Sequence, residues 1–421
     1  LLFKFSRIEF FNSFLIELNF WVDTMNFKLP INENLQRILG KPYPFDAIDD
    51  LKKKAVAKFG SGHLIDFGIG DPTDETPAAI RQQCKKAVDA RKGSGYPASI
   101  GSEEFREAVC KWMKKRFGVS MQAGEIVSTY SAKFASFHIP SYFINPNKGE
   151  IALVPNPGYP PYTDGTLLAG GVPYYLNLLP ENDFLPLFDS IDSKTAELAK
   201  ILFLNSPHSP TGQVYGKEKL KEAVDFCNEH NVILVSDECY SDLYFGEKPL
   251  SILQIKGAEE CSIVVNSLSK RSMMTGYAVG FAASKNSELL KAFAAITRKS
   301  VQGVATFIQD AAIAAWGDEA HCEKMRKEYS ARIDALLPAL QSIGCGIEKP
   351  KGTFFLWVQV PKGKTAAQFS EWLLFEKGIN NIPGSLISHD FQGKNPGERF
   401  VRFAMVQSVE KTREAAERLL E

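Results

Sequence analysis

Several features that would direct function elsewhere are missing from this 421-residue chain. Its six histidines show no metal-ligand spacing. Its seven cysteines, at positions 84, 110, 227, 239, 261, 322 and 345, form no Cys-x-x-Cys pair. An odd count without regular spacing reads as reduced thiols and excludes a disulfide framework or a zinc cage. No apolar run approaches the roughly 18 residues that a membrane span needs. Lys+Arg and Asp+Glu are both 49, so the formal net charge is zero and no global field draws the chain to nucleic acid. There is no fixed-period repeat and no low-complexity tract. The expectation is a cytoplasmic protein with neither nucleic acid nor membrane as partner, and with no metal.

What is present is ordinary for a folded chain: 44% hydrophobic and 23% charged residues. At about 150 residues per domain the length suggests two or three domains. The first 24 residues are rich in Phe and Leu, but Lys4, Arg7, Glu9, Glu17 and Asp23 interrupt them. They fit a signal peptide poorly. Met25 is read as the true start, and 1–24 are set aside as an extension. Residues 25–65 are read as an N-terminal arm.

From about residue 104, helical periodicity alternates with short apolar runs. Residues 104–116 and 217–229 carry helical patterns, and 150–154, 200–204, 231–236 and 261–266 read as buried strands. This alternation predicts an α/β fold, a mostly parallel sheet sandwiched by helices. The last third changes character. A long helical pattern over 318–342 leads to strands at 352–360 and 399–405 and helices near 366–377 and at the C-terminus. That is a smaller α+β domain, giving a large domain over 66–315 and a small one over 316–421. Thr73, Asp74 and Glu75 before Pro77 read as a helix start without chemistry.

Three strand segments end in polar strings, and ligands in open α/β sheets bind beyond the carboxyl ends of strands. Asn205-Ser-Pro-His-Ser-Pro-Thr-Gly212 also reads as a plain proline-rich turn. In Ser236-Asp-Glu-Cys-Tyr240, Asp237 suits a helix cap. Beside a pyridine ring it would instead keep the ring nitrogen protonated and make the ring an electron sink. Tyr240 would then reach the ring oxygen. Ser267-Leu-Ser-Lys270 places a lysine directly after an apolar strand. Such a lysine either snorkels to solvent or, desolvated, forms a Schiff base with a carbonyl. Tyr159, in Pro155-Asn-Pro-Gly-Tyr-Pro-Pro-Tyr162, suits stacking on a flat cofactor as well as core packing.

Taken together, the strings resemble fold-type-I, pyridoxal-phosphate-dependent aminotransferases of class I/II. The match runs from about residue 66 to 421. In family order it comprises Gly68-Ile-Gly-Asp-Pro72, Tyr96 with Gly101-Ser-Glu-Glu-Phe-Arg106, Ser131-Ala-Lys133, Pro157-Gly-Tyr159 and Ser209-Pro-Thr-Gly212. It continues through Asp237-x-x-Tyr240, Ser267-x-Ser-Lys270, Gly276-Tyr-Ala-Val-Gly280, Pro383-Gly-Ser385 and Phe400-Val-Arg402. Within the class, Asp71-Pro-Thr-Asp74 and Ser267-Leu-Ser-Lys-Arg-Ser272 are similar to an LL-diaminopimelate aminotransferase-like group.

The resemblance implies roles position by position. Lys270 would hold pyridoxal 5'-phosphate covalently and shuttle a proton, with Asp237 on the ring nitrogen, Tyr240 and Ser209 on the ring oxygen, and Tyr159 stacked on the ring. Backbone N–H groups of Ser131, Ala132 and Lys133, with the hydroxyls of Ser267 and Ser269, would cradle the phosphate. Tyr96 would reach the phosphate of a neighbouring subunit, implying a homodimer with shared sites. Gly70 would line the substrate pocket, and Arg402 would clamp the substrate α-carboxylate.

Three positions depart from the family pattern. Ala278 replaces the arginine that pairs with the phosphate, Ser209 replaces an asparagine, and Ser131 replaces a glycine. Arg271 or Lys133 is the expected source of a substitute charge. The implied reaction is ping-pong transfer of an amino group from an L-amino acid to a 2-oxo acid such as 2-oxoglutarate. The alternatives are a β-eliminating lyase using the same residues and a non-catalytic relative.

Overall fold

A computed structural model describes residues 30–39, 46–93 and 95–421. The 1–24 extension lies outside the described residues. The chain divides into two compact units, up to Lys41 and from Pro42 to Glu421. Within the first, the helix Glu33–Leu39 carries Glu33 in its first turn and Arg37 in its last, each favourable to the helix dipole.

The second unit is built on a seven-stranded sheet. Its strands are β2 (Ile126–Thr129), β3 (Ile151–Asn156), β4 (Val172–Asn177), β5 (Ala199–Asn205), β6 (Ile233–Asp237), β7 (Ser262–Ser267) and β8 (Gly280–Ala283). Their spatial order is β2-β8-β7-β6-β5-β3-β4. All run parallel except β8, which is antiparallel to both neighbours. The expected mostly parallel sheet is thus present.

Side chains alternate between two cores, as the period of a strand requires. Leu202, Leu204, Leu234 and Val264 join one core with residues of the helices Glu103–Phe117, Lys217–His230 and Thr306–Gly317. Ile201, Phe203, Val235, Ile263 and Val265 join another with the helices Ala132–His138, Pro160–Leu168 and Ser287–Ser300. Burial on both faces explains why these strands read as continuous apolar runs rather than as alternating ones. Local signals set the helix ends. Ser102 Oγ accepts from Phe105 N at 3.2 Å, and Gly118, at φ 71°, ends the same helix.

The last third forms a second layer. The long helix Ala320–Ser342 precedes a three-stranded antiparallel sheet, order β11-β12-β9, of β9 (Phe355–Gln359), β11 (Ile382–Pro383) and β12 (Phe400–Ala404). The early strand β1 (Ile65–Asp66) pairs with β10 (Ile379–Asn380). Ile65 and Phe67 accordingly pack into the core of this layer with Ile333, Leu356 and Phe403. Residue 315 lies inside the helix Thr306–Gly317, two residues before its end. The helix start expected at Pro77 is present, as the helix Ala78–Ala90. It has no side-chain cap, and Asp74 pairs with Arg332 at 2.6 Å. Thr73 Oγ1 donates to Val406 O. These residues fasten the start of the large sheet's region to the last third, because a buried guanidinium needs an anion more than a helix with Pro77 at its start needs a cap.

Gly165 shows how tightly the layers are set. A Cβ there would lie 2.2 Å from Phe137 O, so the helices bearing Tyr162 and Ala132 touch backbone to backbone. Gly165→Ala must push them apart, at a cost of about 1–3 kcal/mol. The urea unfolding midpoint is expected to fall, and an unchanged midpoint would show that the contact has slack.

Candidate active site

The polar strings meet because of strand register. Asn205, Asp237 and Val265 form one row across β5, β6 and β7. Asn205, Asp237 and Ser267 have the same parity as Phe203, Val235 and Val265, so they leave the sheet on the face covered by the Ala132 and Pro160 helices. Asn205 Nδ2 donates to Asp237 O at 2.9 Å, and Asn205 Oδ1 accepts from Ser209 N at 2.7 Å. One side chain therefore fixes both the Asp237 strand end and the Ser209 turn.

Asp237 is buried. Its Oδ2 accepts from Tyr162 OH at 2.7 Å and its Oδ1 from Cys239 N at 3.1 Å. Burial pushes its carboxyl above the ordinary range, and the hydrogen bonds from Tyr162 and Cys239 pull it back. Tyr162 itself stacks on Phe203 and meets Tyr159 edge-on at 5.6 Å.

Lys270 sits in the single turn Leu268–Arg271 that follows β7. Its Nζ donates to Gly70 O at 2.6 Å and lies 5.6 Å from the Phe354 ring centroid. Burial lowers it from 10.5 to about 8, Asp71 and Cys239 oppose that shift, and Arg402 adds to it. Lys270 is thus a dry amine, not a snorkelling one. Arg402, on β12, donates from Nη2 to Gly68 O at 2.8 Å and lies 4.6 Å from the Phe355 ring centroid. Tyr240 is buried edge-on to Phe354 and Phe355. Burial raises its hydroxyl, and it feels the charges of Arg402, Tyr159 and Asp237. Lys270, Asp237, Tyr240, Tyr159, Arg402 and Gly70 therefore share one neighbourhood. A Cβ on Gly70 would lie 2.7 Å from Phe355 Cζ, which leaves room there only for glycine.

The other expected residues lie further out. Ser131 caps the helix Ala132–His138, and its Oγ accepts from Phe134 N at 3.4 Å. Its φ of 134° keeps the conformation of a glycine although the residue is serine. Thr129 and Ser267 both pair with Gly280, so the Ser131 helix start and the Ala278 turn leave the sheet side by side. Ser267 Oγ and Ser269 Oγ lie 2.9 Å apart. Lys133 is exposed, and Tyr96 is 85% exposed on the surface of this single chain.

One expectation fails. Arg271 cannot serve as a substitute phosphate cation, because all five of its N–H donors are used elsewhere. Nε bonds Asp242 at 2.6 Å, Nη1 bonds Ala315 O and Ser272 Oγ, and Nη2 bonds Asp318 O and Glu319. The buried Asp242 carboxylate and the partly exposed Glu319 claim it.

Sequence reasoning also passed over working residues. Tyr162 and Asn205 were quoted only as members of strings, and Phe354 and Phe355 only as strand residues. Tyr162 had a signal, since it stands three residues after Tyr159 at a proline-started helix. Phe354 and Phe355 had none, because only the tertiary fold brings Phe354 near Lys270 and Phe355 beside Arg402 and Gly70.

The residues fit pyridoxal phosphate. A buried carboxylate whose oxygens each take a single hydrogen bond can accept one more, from a ring N–H, and a desolvated amine stands in the same neighbourhood. Layered fold and lysine–aspartate pair together define a pyridoxal-phosphate-dependent transferase. The chain belongs to the aminotransferase class I and II family, whose model matches residues 62–419, and which uses this cofactor. It is similar to the LL-diaminopimelate aminotransferase of Aquifex aeolicus, 38% identical over 381 residues, 90% of this chain and 96% of that one. Among solved structures it resembles an aminotransferase from Neisseria meningitidis, with 31% identity, TM-score 0.85 and coverage of 93% and 99%. It also resembles an aspartate aminotransferase single mutant of Thermus thermophilus, with 27% identity, TM-score 0.83 and the same coverage.

The state of Lys270 is measurable directly. Trace acetylation of the cofactor-stripped chain, read by peptide mass spectrometry, should rise about tenfold per pH unit below 8 and level off above it. Levelling only above pH 10 would mean that the amine is hydrated.

Proposed function

We propose that this enzyme transfers the amino group of LL-diaminopimelate to 2-oxoglutarate, releasing one 2-oxo acid before the next enters. The observation that supports a catalytic rather than a vestigial site is the dry Lys270 amine in a neighbourhood shared with the Asp237 carboxylate and the Arg402 guanidinium. The diamino donor is suggested by the names of the relatives with 33–38% identity.

Pyridoxal phosphate, when bound, supplies a sink for the electron pair left at Cα when its proton is removed. The residues do the rest. Lys270 Nζ would hold the cofactor and, as a free amine, would take the substrate Cα proton and hand it on. An amine of pKa about 8 is about one-tenth unprotonated at pH 7, far more than an ordinary lysine, and suits that task. Asp237 would keep a proton on the ring nitrogen, and Tyr162 and Cys239 N–H hold that carboxylate in place. Tyr159 would stack on the ring, and Tyr240 and Ser209 would bond its oxygen. Arg402 binds the substrate α-carboxylate, with Gly70 leaving room beside Phe355. At the phosphate end, the first N–H groups of the Ala132–His138 helix and the Ser131 hydroxyl would be the donors, and Ser269 would join them by turning its hydroxyl away from Ser267, whose own proton goes to Val279 O at 3.0 Å. With Ala278 in the arginine's place, cofactor affinity is expected to be about 10- to 100-fold lower than with the guanidinium. Exposed Tyr96 completes the site of a second copy in a homodimer.

The test is glutamate formation from LL-diaminopimelate and 2-oxoglutarate. Activity should vanish in Lys270→Ala. In Arg402→Met the KM for the donor should rise about 10- to 100-fold, the loss of a charge-assisted hydrogen bond or two. A 2-oxo acid released repeatedly without an acceptor would show a lyase. Cofactor binding without any turnover across a panel of amino donors would show a non-catalytic relative.

A further inference from the structure

Arg271 directly follows Lys270, yet its side chain leaves the site and enters a buried ion network. Side chains of Arg271 and Asp242 are each 2% exposed, and that of Arg116 is 7% exposed. Asp242 Oδ2 accepts from Arg271 Nε at 2.6 Å, and its Oδ1 accepts from Arg116 Nε at 2.8 Å. Arg116 Nη2 also donates to Ser241 O at 2.6 Å. Arg271 Nη1 reaches Ala315 O at 2.7 Å and Nη2 reaches Glu319 Oε1 at 2.6 Å. The guanidinium lies 5.4 Å from the Trp316 ring and 5.8 Å from the Trp112 ring.

This network connects two turns that both carry chemistry. Asp242 stands two residues after Tyr240 and five after Asp237. Arg271 stands one residue after Lys270. A single 2.6 Å ion pair therefore joins the turn after β6 to the turn after β7. A fully bonded guanidinium has a rigid fork and cannot shift without breaking several bonds at once.

We infer that Arg271 is a positioning residue: by locking the Leu268–Arg271 turn to Asp242 and to the helix ends at Ala315 and Glu319, it holds Lys270 Nζ against Gly70 O and in fixed relation to Tyr240. The inference rests on the reading of Lys270 as the cofactor-bearing amine. It assigns the arginine no contact with substrate or cofactor.

The decisive variant is Arg271→Lys, which keeps the charge and loses the fork. The full-length protein is compared with wild type by circular dichroism, by cofactor absorbance, by kcat and KM, and by the acetylation midpoint of Lys270 in the cofactor-stripped chain. The expected result is a folded protein that still binds cofactor, with kcat about tenfold lower and KM within twofold of wild type, since small misplacement of a reacting group acts on rate. The Lys270 midpoint should move up from about 8, because a loosened turn lets water reach Nζ. Glu319→Gln removes a half-exposed partner outside the packed centre, and should move both readings in the same direction by about two- to threefold in rate. If Arg271→Lys does not fold, Glu319→Gln decides alone. An unchanged midpoint with unchanged kcat in a folded variant overturns the inference. Activity that survives Lys270→Ala overturns the functional reading instead, so the two failures are separable.

Discussion

The arrangement depends on keeping one amine dry. Lys270 Nζ is desolvated beside a backbone carbonyl and the Phe354 ring, and desolvation outweighs the acidic neighbours that would keep it charged. A lysine on a surface loop would stay hydrated and protonated. Much of the surrounding structure serves this condition. The strand β7 delivers the lysine to the sheet edge, and the Gly68–Gly70 segment brings carbonyls to both Lys270 and Arg402. The chain entering β9 supplies Phe354 near Lys270 and Phe355 near Arg402. Burying such a group costs folding free energy, and the ion network beneath it is correspondingly well bonded. Removing one partner of a buried pair of this kind typically costs about 3–5 kcal/mol.

The aspartate presents the complementary case. Asp237 is buried too, but hydrogen bonds from Tyr162 and Cys239 stabilise its charged form against the pull of desolvation. One sheet edge thus holds an amine and a carboxyl that burial pushes toward neutrality, and two hydrogen bonds hold the carboxyl partly back.

Much of this was legible in the amino-acid order. The apolar runs of β5, β6 and β7 announced a sheet buried on both faces, and their polar ends announced the site, because a strand's parity determines which face its last residue leaves. Asp237, Tyr240 and Lys270 were readable for that reason. Arg271 was not. Beside a lysine it looked like spare positive charge, and only the fold shows Asp242 and Glu319 claiming it. Asp74 gave no signal of its partner either, since its ion pair with Arg332 joins positions 258 residues apart. Ser131 gave the residue type but not the backbone, and its φ of 134° shows that the turn kept its shape while the side chain changed. Contacts between elements far apart in sequence, such as Phe355 with Gly70, leave no trace in local pattern.

The central claim is that Lys270 is the amine on which the cofactor is carried. Borohydride reduction of the protein incubated with pyridoxal phosphate, followed by peptide mapping, tests it most directly. A single stoichiometric pyridoxyl adduct on Lys270, absent when that residue is alanine, is expected. An adduct spread over exposed lysines such as Lys133, with Lys270 unmodified, would contradict it.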